Sequence, residues 1–197
     1  FKGFVSRLNI QEFNEPQIGL SRLEQGSLVH KILENFFNAI PSSSDLKKLP
    51  EDKLQEEINK HINSAIQLIS QSNFKSIEKE RLIKIVNEYI KLEKNREYFQ
   101  VIKTESESKV DVNGLQFSTR IDRMDQMKDG TNLIIDYKTG QNVSLSQLTG
   151  NPLDQAQLPI YAITNPVAGI AFATVNSKDC QFKAITKNKF DLPLSQQ

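Results

Sequence analysis

With 197 residues, 25% of them charged and 38% hydrophobic, the chain has the size and composition of a single globular domain with one sizeable core. Its 25 basic and 24 acidic residues leave a formal net charge of +1, which excludes a histone-like polycation but leaves room for a local basic groove. The one cysteine, Cys180, excludes a disulfide framework or a Cys-rich zinc or iron–sulfur centre within the chain, and no apolar run approaches the ~20 residues of a membrane helix.

The opening stretch "FKGFVSRLNIQEF" has neither an initiator Met nor the long apolar core of a signal peptide. The expectation is a piece of a longer protein in a reducing, cytoplasmic setting, with no membrane partner. Residues 1–19 show no clear period. From about Ser21 the pattern is helical, because Leu28, Val29, Ile32, Leu33, Phe36, Phe37 and Ile40 recur at three- and four-residue steps. "PSSSD" (41–45) ends that helix. Two further helical stretches, near 51–71 and 76–95, carry mixed charge of the kind found on solvated faces.

Near residue 97 the composition turns β-compatible. Asn113-Gly114 between alternating apolar residues is a strong hairpin signal, and Asp129-Gly130 supplies a second. The expectation is a three-strand antiparallel meander over about 98–112, 115–125 and 132–138. A polar loop follows at 139–152. "LDQAQLPIYAIT" (153–164) reads as a short helix, disturbed at Pro159. "VAGIAFATV" (167–175) is an apolar run suited to a buried strand. The fold class is therefore α/β, a mixed sheet with helices in the order helix, helical segment, three strands, helix, strand.

The chemistry gathers around "NLIIDYKTG" (132–140). Asp136 and Lys138 are two apart on a strand and share a face, while Tyr137 points the other way. Centring the second hairpin on Asp129-Gly130 brings Asp122 to within a residue of facing Asp136, with a slip of one residue changing its face. Two carboxylates held close repel unless they are protonated or bridged by a cation, and such oxygen ligands suit Mg²⁺ or Mn²⁺. A lysine beside such a cation can orient an attacking water. Alone, an Asp-x-Lys triplet is equally consistent with a surface ion pair.

Four motifs in order, "GSLVHKILENFF", "STRIDRMD", "LIIDYKTG" and "QLPIYA", resemble the RecB-like branch of the PD-(D/E)XK nuclease superfamily. Within that branch the likeness is to the C-terminal nuclease domains of AddB-type helicase–nucleases and related DNA-repair exonucleases, over about Gly26 to Val175. The resemblance implies a restriction-endonuclease-like core at about 20–40 and 97–176 of a single nuclease domain over 1–197, with a helical insertion at about 41–96. It implies metal ligation by His30, Asp122 and Asp136, and Lys138 as the catalytic lysine. It implies a further acid at Glu105, with Glu107 two residues away, and Gln157 and Tyr161 lining the site towards nucleic acid. Their alternatives are a capping Gln and a core Tyr, and that of His30 is a helix histidine at the edge of an apolar face. Arg120 and Arg123 flank Asp122, where phosphate contact and a structural ion pair both fit. The implied function is Mg²⁺- or Mn²⁺-dependent hydrolysis of DNA, at single-stranded ends delivered by a helicase-like region or partner subunit, with no iron–sulfur cluster in this chain. The alternative from another class is a non-catalytic DNA-binding module of a repair complex.

Overall fold

The computed structural model of the chain describes residues 19–69, 72–112, 115–140, 143–144, 158, 162 and 167–186. The first helix, α1 (Arg22–Ala39), starts where the sequence supplies a capping box: Glu24 N–H donates to Ser21 Oγ at 3.2 Å and Ser21 N–H donates to Glu24 Oε2 at 2.8 Å. Leu28, Val29, Ile32, Leu33, Phe36 and Phe37 form its buried stripe.

Ser42 caps a short helix, α2 (Ser43–Lys48), by accepting from Asp45 N–H. The "PSSSD" stretch is thus a helix start as well as a stop, a correction to its reading as a terminator. It is tied to the sheet through Val101 N–H donating to Pro41 O at 2.7 Å and Phe99 N–H to Ser43 Oγ at 3.1 Å. Two longer helices follow, α3 (Glu51–Ile66) and α4 (Lys75–Lys94), each burying one apolar face. Among the described residues no helix is long and apolar enough to cross a membrane.

The strands are β1 (Phe99–Val112), β2 (Leu115–Met127), β3 (Asn132–Lys138), β4 (Gly169–Val175) and β5 (Cys180–Thr186), in spatial order β1-β2-β3-β4-β5. The pairs β1/β2, β2/β3 and β4/β5 are antiparallel, and β3/β4 is parallel. The meander is as the two hairpin signals indicate. Residues 113–114 at the first turn lie outside the described residues. At the second turn Gly130 has φ +81°, the left-handed conformation glycine adopts without penalty, and Thr131 N–H donates to Asp129 Oδ1. Strand β5 carries no apolar run and was not expected from sequence; it adds one buried aromatic, Phe182, to the edge of the sheet.

β3 is buried on both sides, which is why it reads as a continuous apolar run. Leu133, Ile135 and Tyr137 pack with α1, α3 and α4 in the main core. Ile134 packs on the opposite face with Ile121, Met124, Leu158, Ile170 and Phe172. Leu158 and Ala162 are helical; the rest of the 153–164 segment, including Gln157 and Tyr161, lies outside the described residues.

Across the main core, four fully buried charges clamp α4 to β2. Arg123 Nε and Nη2 donate to the two Asp125 oxygens at 2.6 and 2.7 Å, and Nη1 donates to Glu93 Oε1 at 2.8 Å. Arg96 bridges the same two acids, at 2.8 Å to Glu93 and 2.9 Å to Asp125. The Arg123 guanidinium lies 3.8 Å from the centroid of the Phe37 ring. Burial alone would raise the Glu93 pKa, but the two guanidinium groups outweigh it and hold the carboxyl below its usual range. Arg123 is therefore a core cation with no exposed surface, which corrects the expectation that it contacts nucleic acid.

Gly169 opens β4 where there is no room for a side chain. A Cβ there would meet Thr186 Cγ2 at 2.7 Å, the Ile185 carbonyl oxygen at 2.9 Å and Leu133 Cδ1 at 3.2 Å. Gly169→Ala is expected to lower stability by about 1–3 kcal/mol through overpacking, measured as a fall in the thermal unfolding midpoint.

Candidate metal centre

Three elements converge at one end of the β2–β3 ladder. α1 brings His30, β1 brings Glu105 and β2 brings Asp122. His30 Nδ1 is 3.4 Å from Asp122 Oδ1 and 3.7 Å from Glu105 Oε1, and one ligand atom from each of these three residues falls within 4.8 Å of the others. Register explains the meeting of the two acids. Thr104 pairs with Arg123 and Ser106 with Ile121, so Glu105 sits opposite Asp122. Arg123 pairs with Ile135, and one further step puts Asp122 opposite Asp136.

The backbone is bent to achieve this. Glu105 has φ +42°, a left-handed conformation that non-glycine residues seldom adopt and that marks stored strain. Ile121 and Met124 both pack in the second cluster although three residues apart, so β2 departs from strict alternation around Asp122. Gly26 lets α1 approach the end of β3, since a Cβ there would lie 3.1 Å from Thr139 Oγ1.

His30 is held from behind. Its Nε2 lies 3.1 Å from the Tyr137 carbonyl oxygen, and its ring meets Tyr137 edge-on at 5.7 Å. Nε2–H donating to that carbonyl leaves Nδ1 facing the acids, the arrangement by which an outer partner fixes a ligating imidazole. Asp122 is fixed likewise, Tyr137 N–H donating to its Oδ2 at 2.7 Å, so Oδ1 is the oxygen turned to His30. Tyr137, between Asp136 and Lys138, is buried and packs on Tyr89 as well.

Asp136 and Lys138 leave β3 on the side of the second cluster. Lys138 Nζ lies 2.8 Å from Asp136 Oδ2 and 5.1 Å from the centroid of the Phe172 ring. The lysine is thus the charge partner of a buried carboxylate oxygen. Asp136 is not a member of the compact His30–Glu105–Asp122 group but is coupled to it: burial and the Asp122 charge raise its pKa, against Lys138. Arg120 caps the other side of the group, with Nε and Nη2 both 2.5 Å from Glu105 Oε2. The His30 contact and Arg120 hold the Glu105 carboxyl below its usual pKa, against burial.

The donor set fits a divalent cation. Two carboxylates and an imidazole converge, with a third carboxylate, Asp136, nearby and paired with Lys138; that chemistry suits Mg²⁺ or Mn²⁺. In the metal-free chain a proton takes that place. Burial would lower the His30 pKa, but Asp122 and Glu105 outweigh it and push it up to about 10. The folded-state value exceeds the ordinary 6.5, so this proton stabilises the metal-free fold fully below pH 6.5, and the contribution is lost as pH rises through about 10. A cation entering the group must displace it. The apparent affinity for Mn²⁺ is therefore expected to rise between pH 7 and 9, by up to about tenfold per unit for one released proton, with His30→Gln flattening the slope in a calorimetric titration.

Along α1 the group opens into a cavity of about 670 Å³ lined by Arg22, Gly26, Ser27, His30 and Lys31 on the helix, by Arg120 and Asp122 on β2, and by Thr139 just past β3. Sequence motifs single out His30, Asp122, Asp136 and Lys138, and the structure draws all four to this end of the sheet. They underrate Glu105, although the register set by Asn113-Gly114 alone pairs residue 105 with 122. Arg22 and Lys31 carry no motif and are identified by the cavity.

No match to the chain was found among curated proteins. Among solved structures, the crystal structure of SSO0001 is 18% identical over 83% of this chain and 77% of that chain, with a TM-score of 0.34, a similarity too low to bear on the site. The family comparison covers most of the chain: residues 4–165, which include His30, Glu105, Asp122, Asp136 and Lys138, match the PD-(D/E)XK nuclease superfamily, and the chain belongs to it.

Proposed function

We propose that the chain is a metal-dependent deoxyribonuclease of the RecB-like, AddB-type branch, acting on single-stranded DNA ends during repair or recombination beside a helicase-like region or subunit. The observation that carries the reading is the His30–Glu105–Asp122 group at the mouth of a cavity, next to the Asp136–Tyr137–Lys138 strand end. Residues 1–197 form a single nuclease domain in this reading, with 41–96 a helical insertion in the nuclease core.

His30, Glu105 and Asp122 hold the cation, with Asp136 beside them; when bound, Mg²⁺ or Mn²⁺ lowers the pKa of a water and offsets charge on the phosphate. Lys138 contributes a fixed positive charge at the strand end, oriented by Asp136, which orients the attacking water and counters charge developing on the transferred group. Arg120 is placed to move between Glu105 and a phosphate oxygen. Backbone contacts of this type make binding salt-dependent and insensitive to base sequence.

The test is incubation of the purified chain with end-labelled single-stranded and duplex DNA in Mg²⁺, Mn²⁺ or EDTA. Cleavage of the single strand with either metal and none in EDTA is expected. Cleavage that persists in EDTA, or none with any metal, contradicts the reading.

A further inference from the structure

The first two turns of α1 form a ridge with a cavity on either side. One is the catalytic cavity. The other is a notch of about 290 Å³ lined by Leu20, Leu23, Glu24, Leu28, Leu68 and Ile69, and Leu23 and Ser27 line both. The notch floor is core, with Leu28 and Ile69 buried, but its rims are not: Leu23 is 81% exposed and Leu68 70% exposed. Two neighbouring leucines this open contribute little to the fold. Glu24 also borders the notch with its carboxylate turned to Ser21, which keeps phosphate out and leaves the apolar space.

A cation stands where the two cavities join. Arg22, next to Leu23, lines the catalytic cavity two helical turns before His30, about 12 Å along the axis. At the other end of the cavity Lys31 is already paired with Glu34 at 2.7 Å, and Arg120 with Glu105. Arg22 therefore places positive charge on the notch side of the cavity, apart from Arg120 on the Glu105 side.

We propose that the notch receives one unstacked nucleobase of the strand whose phosphodiester lies in the catalytic cavity, with Leu23 as the apolar wedge and Arg22 on the adjoining phosphate. The inference rests on the single-stranded nucleic-acid reading of the cavity and adds a subsite for one base beside it. A base must leave its stack and its partner to enter, so a single strand binds at lower cost than a duplex. The leucines carry no polar group with which to read a base, and the polar lining is engaged within α1, Glu24 with Ser21 and Ser27 with the Leu23 carbonyl, so the notch discriminates little between bases. At about 290 Å³ it matches the lower end of small-molecule sites, about 300 Å³.

The test separates binding from cleavage. Affinity for a fluorescein-labelled single-stranded oligothymidylate is measured by anisotropy in Ca²⁺ for the full chain, for Arg22→Ala, and for Leu23→Ser combined with Leu68→Ser. The replaced leucines are exposed, so an unchanged unfolding midpoint is expected. The leucine double variant is expected to bind about tenfold more weakly, and Arg22→Ala to reduce the salt slope by about one. An abasic nucleotide stepped along the strand should weaken binding at one position in the parent chain and have no such effect in the double variant. Unaltered affinity in the double variant leaves the leucines to a protein partner and overturns the inference, as does an equal abasic penalty in both chains or equal affinity for a duplex. Failure to cleave in Mg²⁺ or Mn²⁺ contradicts the nuclease reading instead, and the binding comparison still decides this one.

Discussion

Asp122→Asn is expected to reduce metal-dependent cleavage by about 10²–10³-fold while leaving the chain folded. Asp122 is the residue on which both registers meet: opposite Glu105 through β1, and one step beyond the Arg123–Ile135 pair through β3. One of its oxygens accepts from Tyr137 N–H and the other faces His30 Nδ1. The amide keeps the shape and the acceptor for Tyr137, so the β2–β3 junction stays closed. It loses the negative charge needed to balance a divalent cation. The same change removes one of the two groups that raise the His30 pKa, so the His30 imidazole should titrate lower in the metal-free variant, a shift that NMR can follow. Loss of cleavage together with that shift distinguishes removal of a ligand from unfolding. A parent-like rate in Asp122→Asn would mean that the group is not the reaction centre.

Arg123→Met is expected to act on stability with the largest effect of any single change considered. Its guanidinium carries contacts to Glu93 and Asp125, both fully buried, and removing one member of a buried charge network leaves the others uncompensated. The cost is about 3–5 kcal/mol, a large part of the roughly 5–15 kcal/mol that holds a domain together. For a chain of this size it corresponds to a fall of roughly 10–15 °C in the unfolding midpoint. Restoring neutrality with Asp125→Leu in the same chain should recover much of it. Arg123→Met with an unchanged midpoint but weakened DNA binding would reinstate Arg123 as a phosphate contact.

The contrast between Asp122 and Arg123 shows what local sequence can and cannot convey. Both stand in "STRIDRMD", and both have motif and charge in their favour. Asp122 was legible because hairpin registers follow from turn chemistry over a short span. The fate of Arg123 depends on Glu93, thirty residues earlier on a helix whose exposed face is otherwise charged, and nothing local marks that one glutamate as buried. The α1 stripe, the meander and the buried strand at 167–175 were readable from period, turns and apolar runs alone. The six-residue α2 is too short to show a period and signals itself only through Ser42 and Asp45. Strand β5 commits a single large side chain to the core, so its pattern is faint. The left-handed backbone of Glu105 has no sequence mark, since no glycine announces it. Gln157 and Tyr161, which the resemblance places towards nucleic acid, fall outside the described residues.

The central claim is that one acid–imidazole group binds a divalent cation and that Lys138 acts on the reaction rather than on that binding. Mn²⁺ binding by calorimetry, run in parallel with cleavage of end-labelled single-stranded DNA, tests it most directly on the parent chain, Asp122→Asn and Lys138→Ala. The account predicts that Asp122→Asn loses both binding and cleavage, while Lys138→Ala binds Mn²⁺ as the parent does and cleaves about 10²–10³-fold more slowly. Parent-like cleavage in Lys138→Ala, or Mn²⁺ binding unchanged by Asp122→Asn, would contradict it.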